Sequence, residues 1–296
     1  MKKRLKKSLI VVCSVILFLI IAVSAFLIWF YRTPYTANKG KIAAILPLPA
    51  AAISGNFIPV SEFASRLQGS ENYYTEEQKP IPASLQNQVL QELIQEKETE
   101  IVAKKNSVSL SDKELDTQFN QLEQQLNQTD PNGFVSMVAK YGLSQNQFKE
   151  EVLSPNLLST DLIIWFNSQR SLNPAQYSLA DSIQNQSTSS STFISLVKQY
   201  SQDPNTKDLE GDMGYLELQA VLPEFKGPLD AAKIGDTLVL ASRYGIHILY
   251  IENKDMNGTG GSSRVHVRQI FLQPENFASW YDDQTKNFHV SHYLKT

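Results

Sequence analysis

The chain has 296 residues, of which 42% are hydrophobic, 10% aromatic and 19% charged. This composition excludes a disordered tail, and the length is enough for one or two buried cores. The formal net charge of −3 argues against nucleic acid as the main partner, because a phosphate-binding face needs clustered cations. The single cysteine, Cys13, excludes an intrachain disulfide and a cysteine-based zinc site, and four histidines argue against a histidine-rich metal site.

The amino-terminal region combines a basic cluster with a long apolar segment. Five of the first seven residues are lysine or arginine, and residues 9–30 carry no charge. At about 1.5 Å per residue, such a helix spans a hydrocarbon core about 30 Å thick. The positive-inside rule places the basic cluster in the cytoplasm and the large body outside. We therefore interpret residues 1–32 as a cytoplasmic tail and a transmembrane anchor of a single-pass cell-membrane protein.

A cleaved signal peptide is the alternative interpretation, with Val23-Ser24-Ala25 as its small-residue cleavage site. We favour a retained anchor because the apolar run continues to Phe30, and Tyr31 suits the outer membrane interface. Cys13 does not fit a lipid-attachment site, because Val12 precedes it where a small residue is expected. Both interpretations export the remainder of the chain.

Helical spacing dominates the region after a short polar spacer at residues 33–42. Two extended pieces are predicted around Ser54-Gly55-Asn56, followed by a helix with Ser61 as its N-cap and a loop at 70–83. Further helix starts are predicted at Leu85, after the Ser111–Glu114 capping box, at Pro131 and after Ser144, with a kink expected at Pro155. Residues 45–170 are therefore predicted to form a helical domain. A polar stretch at 169–190 predicts a linker or a short frayed helix.

Residues 193–252 carry a set of short phrases in a distinctive order. They are Phe193-x-x-Leu196 to Tyr200-Ser201, Gly211–Leu216 in a turn-rich segment, Leu222–Phe225, Lys233–Asp236 and Tyr244–Ile248. This order resembles the parvulin family of peptidyl-prolyl cis-trans isomerases. The preceding helical region, from the Gly55-Asn56 piece to YGLSQNQFKEEVLSPNLL, resembles the amino-terminal chaperone domain of SurA- and PrsA-type extracytoplasmic foldases.

The two resemblances imply an α+β fold. Its parts are an N-terminal transmembrane helix, a helical chaperone-like domain at 45–170, and a parvulin-like domain at 175–296. The last domain is expected to be a small antiparallel sheet with surrounding helices. The tail, residues 273–296, is expected to add a helix and a short strand that pack on this domain.

The parvulin resemblance also implies site residues. The implied floor for a proline ring consists of Val221, Leu222 and Phe225. The implied polar group consists of Asp203 beside the substrate carbonyl, His247, and Ser242 next to that histidine. On spacing alone, Phe225 fits a core-packing role equally well. Asp203 fits a turn residue, and His247 fits a core histidine whose hydrogen bonds are satisfied.

One strand of the family pattern is displaced in this sequence. The family opens with a strand that carries a histidine before an Ile-Leu pair, and no such strand is evident upstream of Phe193. Residues 264–272 have this pattern, after a glycine-rich link at 257–263. We expect 264–272 to pair beside 246–251 and replace the first strand, as in a circular permutation; a truncated second unit is the alternative. Gln269 then occupies the position of the first histidine, where it can hydrogen-bond but not titrate.

The implied function is a membrane-anchored extracytoplasmic foldase that isomerises X–Pro bonds in unfolded or nascent exported polypeptides. A non-catalytic chaperone with a degenerate parvulin domain and a membrane-tethered scaffold are the alternatives. Gln269 favours the non-catalytic chaperone, whereas Asp203, Phe225 and His247 favour the isomerase. No cofactor, metal or nucleic acid is expected, because the sequence has no P-loop or Rossmann phrase and no convincing nucleophile–base set.

Overall fold

The computed structural model describes residues 2–128, 130–255 and 263–296, with side chains described from Ser14 onward. The chain is α+β, as predicted, and divides into two compact units. The first unit contains residues 1–102, 111–155 and 285–296, and the second contains residues 103–110 and 156–284.

The first unit begins with α1, Lys2–Arg32. Its segment Ser14–Arg32 is long and apolar enough to cross a membrane, judged by length and composition. Near its end, Phe30 is completely buried and belongs to the core of the first unit. The carboxyl end of the apolar helix is therefore part of the folded body of this unit.

A short helix, α2 (Ala37–Ala43), replaces the polar spacer predicted at residues 33–42. Its buried Lys39 Nζ donates to the carbonyl oxygens of Phe30 at 2.6 Å and Thr33 at 2.5 Å. These bonds satisfy acceptors that the end of a helix leaves without partners. Burial lowers the pKa of Lys39, and the two bonds hold the ammonium group in place. The spacer prediction was wrong because a single lysine in a polar stretch caps α1.

A three-stranded sheet completes the first unit. The two predicted extended pieces are confirmed as β1 (Pro49–Ile53) and β2 (Asn56–Pro59). They pair as a hairpin, with φ of +47° at Ser54 and +88° at Gly55, as two-residue hairpin turns require. The tail strand β7, Val290–His292, pairs with the other edge of β1. The prediction that this strand packs on the parvulin-like domain was wrong, because β7 satisfies backbone groups that β1 would otherwise leave unpaired.

The helices that follow the hairpin are α3 (Val60–Glu76), α4 (Leu85–Lys105), α5 (Asp112–Asn127), α6 (Gly133–Lys140) and α7 (Gln145–Gln147). The caps by Ser111 and Ser144 are confirmed, and Ser144 forms a reciprocal capping box with Gln147. Two details of α3 differ from the prediction: it begins at Val60, before Ser61, and it covers the first half of the predicted 70–83 loop. Its hydroxyl side chains bond to carbonyls one turn back, so polar residues there do not end the helix.

Two segments, one near residue 155 and one near residue 180, differ from the structure that their local sequence pattern predicts. After α7 the chain forms a π-helical segment, Phe148–Leu153, before α8, Ser154–Ser168. The π segment ends two residues before Pro155, which lacks an N–H, and it takes the place of a simple kink. The stretch predicted as a linker or a short frayed helix forms an ordered helix, α9 (Pro174–Gln186), because its Tyr177, Ala180 and Ile183 are buried at helical spacing.

The second unit contains a four-stranded antiparallel sheet in the order β3-β6-β5-β4. Its strands are β3 (Asp212–Glu217), β4 (Thr237–Ser242), β5 (Gly245–Asp255) and β6 (Arg264–Leu272). The predicted pairing of 264–272 beside 246–251 is confirmed, with Ile246 opposite Leu272 and Ile251 opposite Val267. The turn-rich GDMGYLE segment is a bulged strand, which corrects that prediction. Residues 257–262 of the predicted flexible link lie outside the described residues.

Helices cover both faces of this sheet. They are α9, α10 (Ser190–Tyr200) and α11 (Pro223–Ala231), whereas α12 (Phe277–Thr285) packs Phe277 and Trp280 against Phe166 of α8. Together with α9, α10 packs on one face, where Phe193 meets Ile248 and Ile270. On the opposite face, α11 packs Phe225 and Leu229 into a second cluster. The space between α11 and its sheet face is therefore the place where a site can form.

The contact between Gly211 and β6 leaves no room for a side chain. Gly211 has φ +76°, and an added Cβ would lie 2.6 Å from the Gln269 carbonyl oxygen and 2.8 Å from Val197 Cγ2. Gly214 has φ +68°, but a Cβ there meets no described atom within 4 Å. We expect Gly211→Ala to lower the free energy of unfolding by about 3 kcal/mol and Gly214→Ala by about 1 kcal/mol. Urea denaturation measures both, and equal losses would contradict the close approach.

Candidate active site

A cavity of about 710 Å³ lies between α11 and the sheet of the second unit. Six of the seven predicted site residues line it: Asp203, Val221, Leu222, Phe225, His247 and Gln269. The seventh, Ser242, is completely buried and hydrogen-bonds to His247. The structure therefore brings the predicted floor and the predicted polar group to one hollow.

Strand register places the polar residues on the cavity face of the sheet. His247 on β5 lies opposite Phe271 on β6, and Gln269 on β6 lies opposite Leu249 on β5. Directly opposed residues of an antiparallel pair share a face, and residues two apart on one strand share it too. His247 and Gln269 are consequently diagonal neighbours, although 22 positions separate them in the sequence.

The four polar residues form one hydrogen-bonded chain. Ser242 Oγ lies 2.8 Å from His247 Nε2, and His247 Nδ1 lies 2.7 Å from Gln269 Oε1. Gln269 Nε2 donates to Asp203 Oδ2 at 2.9 Å. The chain thus runs from a buried hydroxyl at the end of β4 to a half-buried carboxylate at the cavity wall.

The direction of each bond follows from the carboxylate. An ionised Asp203 can only accept, so the Gln269 amide nitrogen faces it and the Gln269 oxygen faces His247. His247 Nδ1 must then carry the proton and donate. In the neutral imidazole, Nε2 is the acceptor, and the Ser242 hydroxyl donates to it. The network therefore specifies one tautomer of His247.

Burial and hydrogen bonding set the charges of this chain. Burial lowers the pKa of His247 below its ordinary value of 6.5, against smaller raising effects of the Gln269 bond and the Asp203 charge. Burial by itself raises the pKa of Asp203, but bonds from Thr206, Asn205 and Gln269 outweigh it and bring the pKa below its usual range. At neutral pH the site consequently holds a neutral imidazole and an ionised carboxylate.

The Phe225 ring forms the apolar part of the site beside the imidazole. Its centroid lies 5.0 Å from that of His247, edge to face, and the Phe271 ring centroid lies 5.2 Å from that of His247. Pro223 occupies the first turn of α11, where its missing N–H costs no hydrogen bond. The start of α11 therefore presents Val221, Leu222 and Phe225 to the cavity together.

Asp203 serves the loop and the site at the same time. Its Oδ1 accepts from the Asn205 backbone N–H at 2.9 Å, which is the turn role expected on spacing alone. Its Oδ2 accepts from Thr206 Oγ1 at 2.6 Å and from Gln269. Ser201 and Gln202 bond to the backbone of Phe271, which ties this loop to β6.

The cavity has further lining residues that the sequence analysis missed, among them Met213, Tyr215, Tyr244 and Phe271. Phe271 could have been found, because it lies two residues after Gln269 on a strand and must share its face. Thr206 could have been suspected as a hydroxyl three residues after a turn aspartate. Tyr244 gave no such signal, because it lies in the two-residue turn between β4 and β5. Within the described residues, no group of three or more His, Cys, Asp or Glu side chains could hold a metal ion.

Comparison with known protein families agrees with this architecture. A family model described as a SurA-like N-terminal domain matches residues 1–160, more than half of the chain. The chain belongs to the SurA/PrsA-type foldase family. A second family model, described as a PPIC-type PPIase domain, matches residues 162–253. That match includes Asp203, Phe225 and His247, and it ends before β6, which supplies Gln269.

Three curated relatives carry foldase or chaperone names. Foldase protein PrsA of Caldanaerobacter subterraneus subsp. tengcongensis is 25% identical over 174 residues, covering 55% of this chain and 56% of the relative. Foldase protein PrsA of Geobacillus sp. strain WCH70 is 24% identical over 239 residues, covering 74% and 82%. Chaperone SurA of Alkalilimnicola ehrlichii is 30% identical over 97 residues, covering 30% and 22%. The chain thus spans about half of the first relative and less than a quarter of the SurA relative.

The buried histidine gives the family domain a defined pH dependence. Because the pKa of His247 is lowered in the folded state, the unfolded chain binds a proton first as pH falls below about 6.5. Folding stability should therefore fall from about pH 6.5 down through the folded-state pKa, by at most about 1.4 kcal/mol per pH unit for this group. Urea denaturation at pH 7.5 and 5.5 measures the slope. The slope should be shallower in His247→Gln, and an unchanged slope would show that His247 is not buried in its neutral form.

Proposed function

We propose that this chain is a membrane-anchored extracytoplasmic peptidyl-prolyl cis-trans isomerase that acts on unfolded or nascent exported polypeptides. The observation that carries the proposal is the shared hollow, in which the Phe225 and His247 rings lie 5.0 Å apart. The PPIC-type domain match and the PrsA relatives support the same reaction.

The reaction needs no covalent intermediate. Rotation about an X–Pro bond has a barrier of about 18–20 kcal/mol, because the planar amide is stabilised by resonance. Twisting the amide breaks this resonance, which reduces the partial negative charge on the carbonyl oxygen and returns the lone pair to nitrogen. A site accelerates the rotation if it holds the twisted amide better than the planar one.

The cavity offers the groups for such differential binding. Val221, Leu222 and Phe225 provide an apolar surface for the proline ring. The ionised Asp203 carboxylate lies at the same cavity, and beside the carbonyl it would disfavour the planar amide, whose oxygen carries more negative charge. His247 and Gln269 hold this carboxylate and the cavity wall in position through their hydrogen bonds.

The first unit supplies a surface for unfolded chains. A groove of about 460 Å³ in this unit is lined by aromatic and aliphatic side chains, including Tyr73, Tyr74, Tyr141, Leu143 and Phe148. Aromatic side chains provide contact area for apolar segments at low entropic cost. The groove lies within the SurA-like match, which supports client binding by this unit.

The isomerase proposal predicts the effect of substitutions at the network. We expect His247→Ala, Phe225→Ala and Gln269→Leu each to lower kcat/KM for an X–Pro peptide by about tenfold or more, equivalent to about 1.4 kcal/mol. Gln269→His should retain activity, because a neutral histidine can donate to Asp203 and accept from His247. A cis–trans isomerisation assay with the full chain in detergent micelles measures these rates.

The same assay decides between isomerase and holdase. Gln269 is the observation that favours a non-catalytic chaperone, since the family position carries a histidine. If wild type and His247→Ala both match the uncatalysed rate, the isomerase proposal fails. Suppression of client aggregation by such a chain would then support a holdase, and its absence would leave a membrane-tethered scaffold.

The anchor proposal rests on α1 and predicts its behaviour in membranes. The full chain should remain in the membrane pellet after alkaline carbonate extraction, because a helix of about 20 apolar residues spans the bilayer. A chain that begins at Ala25 should be soluble and keep Phe30 and the acceptors of Lys39. A chain that begins at Thr33 should be less stable, since it loses the buried Phe30. Release of the full chain by carbonate would contradict the anchor.

A further inference from the structure

The hydrogen-bonded chain of the cavity continues beyond Ser242 to a helix. The Asn167 side-chain Nδ2 donates to the Ser242 carbonyl oxygen at 2.8 Å, although 75 positions separate the two residues in the sequence. Asn167 lies at the carboxyl end of α8 and has only 1% of its surface exposed. It does not line the cavity, so it cannot touch a substrate there. Any effect of Asn167 on the site must therefore pass through Ser242.

Ser242 is the point at which this bond can affect the site. Its Oγ lies 2.8 Å from His247 Nε2 and accepts from the Tyr244 backbone N–H at 3.0 Å. β4 ends at Ser242, which pairs with Gly245 across a two-residue turn. Strand pairing therefore orders the residues before Ser242, whereas the turn after it lies beyond the paired residues. The bond from Asn167 fixes the peptide group at the start of this turn.

The donor itself is rigidly supported. The Tyr177 hydroxyl on α9 donates to the Asn167 backbone oxygen at 3.0 Å, in a buried contact. The neighbouring Phe166 ring packs against α12, with centroids 5.4 Å from Phe277 and 5.2 Å from Trp280. A side chain that is already ordered loses little conformational freedom when it forms a hydrogen bond. The end of α8 thus presents the Asn167 amide in a fixed direction.

Packing alone does not account for an amide at this position. The Asn167 Oδ1 atom is buried and has no hydrogen-bond partner among the residues that the structure describes. A buried polar atom without a partner is unfavourable, and an apolar side chain of similar size would avoid this cost. The favourable contribution of the Asn167 amide therefore comes from its Nδ2 donor, which is directed to Ser242.

We propose that Asn167 is a positioning residue that holds the Ser242 hydroxyl on His247 Nε2 and thereby fixes the orientation of the imidazole. This inference rests on the proposed isomerase site, in which His247 and Gln269 hold the Asp203 carboxylate in position. The hydroxyl at Nε2 and the Gln269 oxygen at Nδ1 together hold the ring at both nitrogens. Without the Asn167 bond, the Ser242 hydroxyl can move away from Nε2, and the imidazole is then held at Nδ1 alone.

The test compares two asparagines that are equally buried. Asn173 is completely buried, and its Nδ2 donates to the Phe166 carbonyl oxygen at 2.8 Å, whereas its Oδ1 accepts from the Glu275 backbone N–H. Asn167→Leu and Asn173→Leu each remove one buried amide, and both should lower the thermal stability. Only Asn167→Leu should lower kcat for an X–Pro peptide, by about fivefold, with the full chain in neutral detergent micelles. The Kd of the labelled peptide should stay unchanged in both variants, because the apolar floor is intact.

A double-variant cycle shows whether the effect passes through the serine. Ser242→Ala removes the hydroxyl that Asn167 is proposed to hold, so it should lower kcat by at least as much as Asn167→Leu. If both residues act through this hydroxyl, the combination of the two substitutions should be no slower than Ser242→Ala alone. Multiplied effects of the two substitutions on kcat would show that Asn167 acts by another route and would overturn the inference.

Nitrogen-15 NMR of the imidazole reports the hydrogen bond directly. The signal of an imidazole nitrogen that accepts a hydrogen bond differs from that of a nitrogen without one, and its loss in His247→Gln assigns the His247 signal. We expect Asn167→Leu to move the Nε2 signal towards its position in Ser242→Ala. Asn173→Leu should leave this signal at the wild-type position, because its bonds do not reach the network.

The outcomes separate this inference from the isomerase proposal. An Nε2 signal that Asn167→Leu leaves unchanged would overturn the inference, as would equal changes in Asn167→Leu and Asn173→Leu. If the wild-type chain does not isomerise the peptide, the isomerase proposal fails, and the Nε2 signal still decides whether Asn167 positions His247. Circular dichroism verifies that each variant is folded, and the smaller substitutions Asn167→Ala and Asn173→Ala serve if the leucine variants are not.

Discussion

The pairing of β6 with β5 is the constraint on which the site depends. It sets Gln269 opposite Leu249 and diagonal to His247, and thereby closes the hydrogen-bonded chain from Ser242 to Asp203. A shift of one residue in the register of β6 against β5 would turn the Gln269 side chain to the other face of the sheet, which α9 and α10 cover. The approach of Gly211 to the Gln269 backbone holds β6 from its other edge. The register of one strand thus determines the chemistry of the cavity.

Much of this fold could be predicted where the sequence carries periodic apolar residues or caps. The helix from Leu85, the helix cap at Ser144 and the pairing of 264–272 beside 246–251 are examples. Predictions failed where tertiary contacts decide the structure. α9 is polar in composition, yet three of its side chains fill a buried cluster, and β7 is too short to form without the unpaired edge of β1.

The site was more predictable than its surroundings. The family phrases named the floor and the polar residues, and the structure brings six of them to one cavity. Sequence alone left open whether Asp203 was a turn residue or a site residue. In the structure one carboxylate oxygen accepts from the turn at Asn205 and the other accepts from Gln269 in the polar network. The neighbours of Glu217 could not be predicted, since Glu217 and Arg264 are brought together only through the β3–β6 pairing.

Glutamine at position 269 is compatible with the proposed reaction for a chemical reason. Isomerisation rotates a bond and transfers no proton, so the site needs groups of fixed direction more than an acid or a base. The Gln269 amide presents one acceptor to His247 and one donor to Asp203 at every pH. A histidine offers the same pair in only one neutral tautomer and loses its acceptor on protonation. Since burial already keeps His247 neutral at neutral pH, the glutamine adds no further titrating group to the network, which favours a network that orients the cavity wall over one that exchanges protons.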